Sequence, residues 1–235
     1  MSKSMMLAGL TGGLVGALAT AGIFAFAGPG LMGERLVRET MNTHPDILIE
    51  ASQALQAQQY APMLEANRGL IEDPFHSSWE GAENPEVTLV EYYDYACGFC
   101  RQAKPDIDRL LAEDPTLRVV YRELPVLGPA SVAAARASLA ASKAGKFSEF
   151  HESLWASGGI SEESLDAALE AGGITIEDLS DPEIEAEIER NMEIAGLLGA
   201  TGTPLFVIGN RVINSADGYR AYKDAIEQAR KASKG

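Results

Sequence analysis

The sequence predicts an α/β fold in which a small sheet carries a block of helices inserted between its strands. Three observations lead there. Short apolar runs rich in β-branched and aromatic residues stand at Val87–Tyr93, Leu117–Leu124 and Leu205–Ile208, flanked by Pro, Gly or Asp. Between the second and third runs, over about 128–199, the pattern is helical almost throughout. The only two cysteines among 235 residues, Cys97 and Cys100, lie where the first run gives way to a helical pattern.

Ahead of these runs lies an apolar to weakly polar stretch, Met5 to Ala27, and Lys3, just before it, is the only charge in the sequence ahead of Glu34. It is long enough to span a bilayer, and Ala25-Phe26-Ala27 before Gly28 has the small-x-small form of a signal peptidase site. Residues 1–27 are therefore expected to act as a membrane anchor or as a cleaved signal. Either sends the rest of the chain out of the cytoplasm, where a disulfide persists.

Residues 28–73 are expected to form an N-terminal helical arm. One helix should end near Asn42-Thr43-His44; a second should open with Pro45 in its first turn and run through Gln59. Leu48, Ala51 and Leu55 have a/d spacing, a short seam that Gln58 and Pro62 interrupt. The arm is expected either to pack on its own domain as a spacer or to join copies into a homo-oligomer.

The main domain is expected to occupy 74–235. Pro74 to Pro85 reads as a surface connection, rich in Ser, Gly, Asn and charge. Val87–Tyr93 follows as a buried strand, then a helix from Gly98 that stops at Asp114-Pro115, then the strand Leu117–Leu124 stopped by Pro125. In the helical block, Pro129 opens an alanine-rich helix ending near Gly145, Phe147–Trp155 forms another, and Ser161 caps a third that stops at Gly172-Gly173. Asp181-Pro182 opens a fourth, with Ile184, Ile188, Met192 and Ala195 on an apolar face and Glu183 and Glu187 on a solvated one. Leu205–Ile208, a turn at Gly209-Asn210, Arg211–Asn214 and a helix over Tyr219–Lys231 close the domain.

The balance of 19 basic and 34 acidic residues, a formal charge of −15, argues against nucleic acid as a partner. With 46% hydrophobic residues, the composition is ample for a globular core.

The chemistry is carried by the cysteines. A helix starting at Gly98 places Cys97 at its N-terminus, where unpaired N–H groups and the positive dipole end favour a thiolate, with Cys100 one turn on. Position makes Cys97 the nucleophile and Cys100 the resolving thiol. Exchange then runs through a mixed disulfide in either direction and calls for no cofactor. A zinc or copper site needs further ligands, and His44, His76 and His151 are not paired at metal spacing. A purely structural bridge over so short a loop would constrain the unfolded chain little. Around the pair, Tyr92 and Tyr93 read as core strand residues, Phe99 as a substrate contact, and His151 as an ordinary helix residue.

Glu91-Tyr92-Tyr93-Asp94-Tyr95-Ala96-Cys97-Gly98-Phe99-Cys100 resembles the active site of the thioredoxin superfamily, and more narrowly of DsbA-like periplasmic thiol-disulfide oxidoreductases. Glu91, six residues before Cys97, matches that family's buried acid; Pro105 matches the proline of the active-site helix; Thr203-Pro204 resembles the threonine and cis-proline that face the cysteines. The arm resembles that of ScsC-like relatives. The resemblance, covering roughly Pro85 to Lys231, implies a thioredoxin fold with a helical insertion, with Cys97, Cys100 and Glu91 in catalysis and Thr203, Pro204, Gly98 and Phe99 against substrate. It also implies unfolded or partly oxidised proteins as substrates and a membrane redox partner that restores the active state. With Gly98-Phe99 between the cysteines and no histidine there, the expected activity is a dithiol oxidase of moderate potential, with isomerase or reductase as alternatives. A non-catalytic chaperone or copper-binding module is the alternative of another class.

Overall fold

The computed structural model describes residues 28–233. The chain divides into two compact units, Met1–Ala54 and Leu55–Gly235. Helix α1 spans Gly28–Thr43 and α2 spans Asp46–Ala66, so the first helix ends where Asn42-Thr43-His44 placed its stop. The second runs past the expected end at Gln59 and contains Pro62. Proline forfeits one backbone hydrogen bond there, while Leu64, two residues on, is buried in the second unit. Leu36, Leu48, Ile49 and Leu55 are all exposed. Among the described residues no helix is long and apolar enough to cross a membrane, and the expected apolar segment, 5–27, lies outside them.

A short helix α3 (Arg68–Glu72) leads into a five-stranded sheet of order β1-β3-β2-β4-β5. β2 (Val87–Tyr93) and β3 (Leu117–Glu123) are parallel at its centre. β4 (Leu205–Ile208) runs antiparallel to β2, and β5 (Arg211–Ile213) antiparallel to β4. β1 (Trp79–Gly81) pairs antiparallel with the outer side of β3, which corrects the expectation of a plain surface connection over Pro74–Pro85. Three residues show no alternation, and what orders this stretch is long-range: Ser78 Oγ donates to Ser142 Oγ at 2.8 Å, and Phe75 is buried.

The parallel β2–β3 pair needs a crossover, which α4 (Gly98–Glu113) supplies. The helical insertion follows as α5 (Pro129–Lys143), α6 (Phe147–Ala156), α7 (Glu162–Gly172) and α8 (Pro182–Leu197), and α9 (Tyr219–Ser233) closes the domain. Ser161 caps α7 as expected, in a reciprocal capping box with Ser164.

Strand alternation divides the core in two. Leu89 and Tyr93 of β2 and Val119 and Tyr121 of β3 pack on the side covered by α4, α5 and α6. Val90, Tyr92, Val120 and Leu124 pack on the other side with Leu64, Ile71, Ile194 and Leu198. On that second side the expectation for α8 needs correction. Glu187 is buried, not solvated, because the Arg122 guanidinium from β3 and Arg190 both bond its carboxylate. Arg122 also donates to the carbonyls of Leu70 at 2.8 Å and Ile71 at 3.2 Å, satisfying the C-terminal end of α3. Met192, expected on the apolar face of α8, is half exposed.

Candidate active site

The turn between β2 and α4 is organised by Asp94. Its Oδ1 accepts from the Ala96 N–H at 2.8 Å, and its Oδ2 accepts from the N–H groups of Val126 and Leu127 at 2.9 and 3.0 Å. The Cys97 N–H donates to the Asp94 carbonyl at 2.9 Å, and the Cys97 carbonyl accepts from Arg101 N–H at 3.1 Å. Cys97 is thereby the N-cap of α4 in extended conformation, and Pro105 lies within the same helix.

Both cysteines are free thiols and buried, Cys97 at 7% exposure and Cys100 at 0%. Cys97 Sγ donates to the Thr203 carbonyl at 3.2 Å, and the Thr203–Pro204 bond that follows is cis. The structure thus brings Cys97, Cys100, Thr203 and Pro204 together. Burial pushes the Cys100 thiol far up, and the charge of Glu91 pushes it further.

Glu91 reaches the same space from β2, on the face covered by α4, and is 4% exposed. Burial raises its pKa to about 8; the Lys104 charge works against this and Asp108 with it. The help from Lys104 is diluted because its ammonium is bonded to Asp108 at 2.7 Å and Glu152 at 2.6 Å. Near neutral pH the centre therefore holds a protonated acid beside a protonated resolving thiol, an arrangement that can give and take protons without a buried charge.

Gly98 and Phe99 face solvent, Phe99 at 65% exposure, beside the cysteines. A shallow groove lies nearby, lined by Leu124, Val126, Leu127, Met192 and Gly202 and opening at the loop that carries Thr203. His151 is buried in α6 between Tyr95 and Trp155, and burial holds it well below the usual histidine range, hence neutral. Among the described residues no group of three or more His, Cys, Asp or Glu stands together as a metal set.

Sequence reasoning missed Asp94, the Lys104 cluster and Glu123. Glu123 is buried at the end of β3, and burial lifts its pKa to about 8, against bonds from Ser138 and Tyr93. The alternation that places Tyr121 in the core places Glu123 there too, and that signal was present in Leu117–Leu124.

Residues 88–227 match the model of the DSBA-like thioredoxin domain, and residues 34–61 match that of the copper resistance protein ScsC N-terminal domain. A thioredoxin-like oxidoreductase from Silicibacter pomeroyi is 36% identical, with a TM-score of 0.66 over 70% of this chain and 98% of that one. A periplasmic thioredoxin-like protein from Salmonella enterica is 28% identical, with a TM-score of 0.64 over 70% of this chain and 95% of that one. Among curated relatives, the Na(+)/H(+) antiporter NhaA 3 of Salinispora tropica is 31% identical over 68% of this chain and 26% of its own length. The chain spans about a quarter of the length of the curated relatives it first matches.

Proposed function

The chain belongs to the family of DSBA-like thioredoxin domains, whose members are thiol-disulfide oxidoreductases, and from this we propose that Cys97 and Cys100 exchange disulfides with extracytoplasmic proteins as a dithiol oxidase. The carrying observation is the seat of Cys97: an N-cap thiol bonded to the carbonyl that precedes a cis-proline. A substrate thiolate attacks Cys97 of the disulfide form, Cys100 leaves as a thiolate and takes a proton, and Glu91 supplies it. A second substrate thiolate then releases Cys97, leaving an oxidised substrate and the reduced pair. Thr203, Pro204 and Gly98 offer backbone to an extended segment, and Phe99 with the nearby groove offers apolar contact to an unfolded chain. The Gly98-Phe99 dipeptide favours isomerase as the second reading.

The proposed organisation keeps residues 1–27 as targeting segment, 28–73 as arm and 74–235 as catalytic domain, with a membrane partner restoring the disulfide. The exposed apolar side chains of the arm, together with its ScsC match, support a homo-oligomer, which light scattering on the chain with and without 28–54 tests.

The experiment for the activity is the equilibrium of the cysteine pair against glutathione, read by thiol trapping. A potential of about −120 to −180 mV supports oxidase or isomerase, and one near about −270 mV replaces it with a reductase. Cys97→Ser is expected to reduce exchange to background; chaperone-like binding or copper binding by a chain without exchange activity would move the protein to another class.

A further inference from the structure

On the α4–α6 side of the sheet a chain of polar side chains runs from the surface beside the cysteines to a second buried carboxyl. Arg101, the residue after Cys100, lies over the Trp155 ring at 4.9 Å and donates to the Trp155 carbonyl at 2.9 Å. Trp155 Nε1 meets His151 Nε2 at 3.0 Å, His151 Nδ1 meets the Tyr95 hydroxyl at 2.9 Å, and the Tyr95 and Tyr93 hydroxyls meet at 3.0 Å. The Tyr93 hydroxyl donates to Glu123 Oε1. An indole N–H only donates, so His151 Nε2 accepts and its remaining proton sits on Nδ1, pointing at Tyr95. Tyr95 accepts there and from Tyr93, and is left to donate to Ser138, 3.2 Å away. The Tyr93 hydroxyl thus links Tyr95 to Glu123.

The register brings this carboxyl close to Glu91. Glu91 pairs with Tyr121, and Tyr93 pairs with Glu123, so the two acids sit diagonally on adjacent strands and on one face. The charged and titratable groups around them are Tyr93 of β2, Asp94 and Tyr95 of the turn after it, Glu80 of β1, Tyr121 of β3, Cys100, Lys104 and Asp108 of α4, His151 of α6 and Tyr222 of α9. Lys104 is the cation among them, and it is bonded to Asp108 and Glu152.

We propose that Glu123 is a positioning acid of the cysteine centre: a second buried proton site, tied to the active-site surface through Tyr93, Tyr95, His151 and Trp155, that sets the proton affinity of Glu91. This rests on the function proposed above for Cys97 and Cys100, and it extends it. The charge of Glu91 raises the pKa of Glu123, and such a coupling is reciprocal, so the ionised form of one holds the proton on the other.

The test is the titration of Glu91 between pH 5 and 10, followed by carboxyl carbon NMR in the reduced full chain, for the parent, Glu123→Gln and Tyr93→Phe. Glu91→Gln serves to assign its signal. Glutamine keeps an oxygen for the Tyr93 hydroxyl and removes only the charge. The expected result is a fall of about one pH unit in the Glu91 midpoint on Glu123→Gln. Tyr93→Phe keeps the charge, removes a bond that favours it, and is expected to move the Glu91 midpoint by less. A Glu91 midpoint unchanged in a folded Glu123→Gln protein, with only its melting temperature altered, overturns the proposal and leaves Glu123 a structural residue. The glutathione equilibrium of the same proteins separates the two readings. A shifted Glu91 titration in a chain that exchanges no disulfides keeps the coupling and removes the oxidoreductase function. Normal exchange with an unmoved Glu91 does the reverse.

Discussion

The two faces of the sheet bury acids in opposite ways. On the α3 and α8 side, Glu187 is met by Arg122 and Arg190, and Arg122 spends its remaining donors on carbonyls at the end of α3. On the α4 side, Glu91 and Glu123 have no ion pair among the described residues, and both are pushed toward a pKa of about 8. The acid met by the two arginines fixes geometry. The acids without a cation hold protons that chemistry can use. The fold keeps these two solutions one strand residue apart, since Arg122 and Glu123 are neighbours pointing to opposite faces.

The strongest way to break this contrast is to remove the cation. Arg122→Leu leaves Glu187 buried with only Arg190 beside it, and the carbonyls of Leu70, Ile71 and Asp73 without their donor. The expected cost is about 3–5 kcal/mol, a fall of roughly 10 °C in melting temperature. Adding Glu187→Leu is expected to recover most of it, because an apolar pair of similar volume avoids the desolvation of the ions. A double variant as unstable as the single would show that the carbonyl bonds, not the ion pair, carry the effect.

Glu91→Gln should act with the opposite sign. Its carboxyl keeps a proton up to about pH 8 when folded, against a reference of 4.5, so the unfolded chain releases that proton first as pH rises. Parent stability from this group therefore falls across pH 4.5 to 8 and is level on either side. Glu91→Gln is expected to melt higher than the parent by several degrees at pH 8.5 and by much less at pH 5. A difference that does not grow with pH would mean that Glu91 is ionised throughout.

The smallest effect on stability is expected at Phe99, which lies outside both faces. Phe99→Ala should change unfolding free energy by no more than about 0.5 kcal/mol. It should slow exchange with an unfolded protein about tenfold, a difference of about 1.4 kcal/mol, and leave exchange with glutathione unchanged. Equal losses with both substrates would place Phe99 in the support of Cys97 instead.

The parts visible in the sequence were those written in local signals. The strand at Val87–Tyr93, the helix start at Gly98 and the caps at Ser161 and Asp181 each depend on residues within one turn of each other. What was hidden depends on partners far along the chain. Glu187 looked solvated because its helix offers no sign of Arg122, 65 residues away. The strand at Trp79–Gly81 exists because β3 and Ser142 receive it. Glu123 stands at the end of an identified strand, two residues before Pro125, where an acid also fits a strand end facing water.

Asp94 has a consequence for how such a protein can change. Its carboxylate holds the backbone of Val126 and Leu127 to the turn that presents Cys97, while their side chains stay exposed. The stretch is thus anchored through its main chain and free in its side chains. Substitutions there can alter which clients are preferred without disturbing the thiols, whereas an insertion between Leu124 and Gly128 would pull the reactive turn out of register. Variation in this loop should therefore take the form of exchanged residues at constant length.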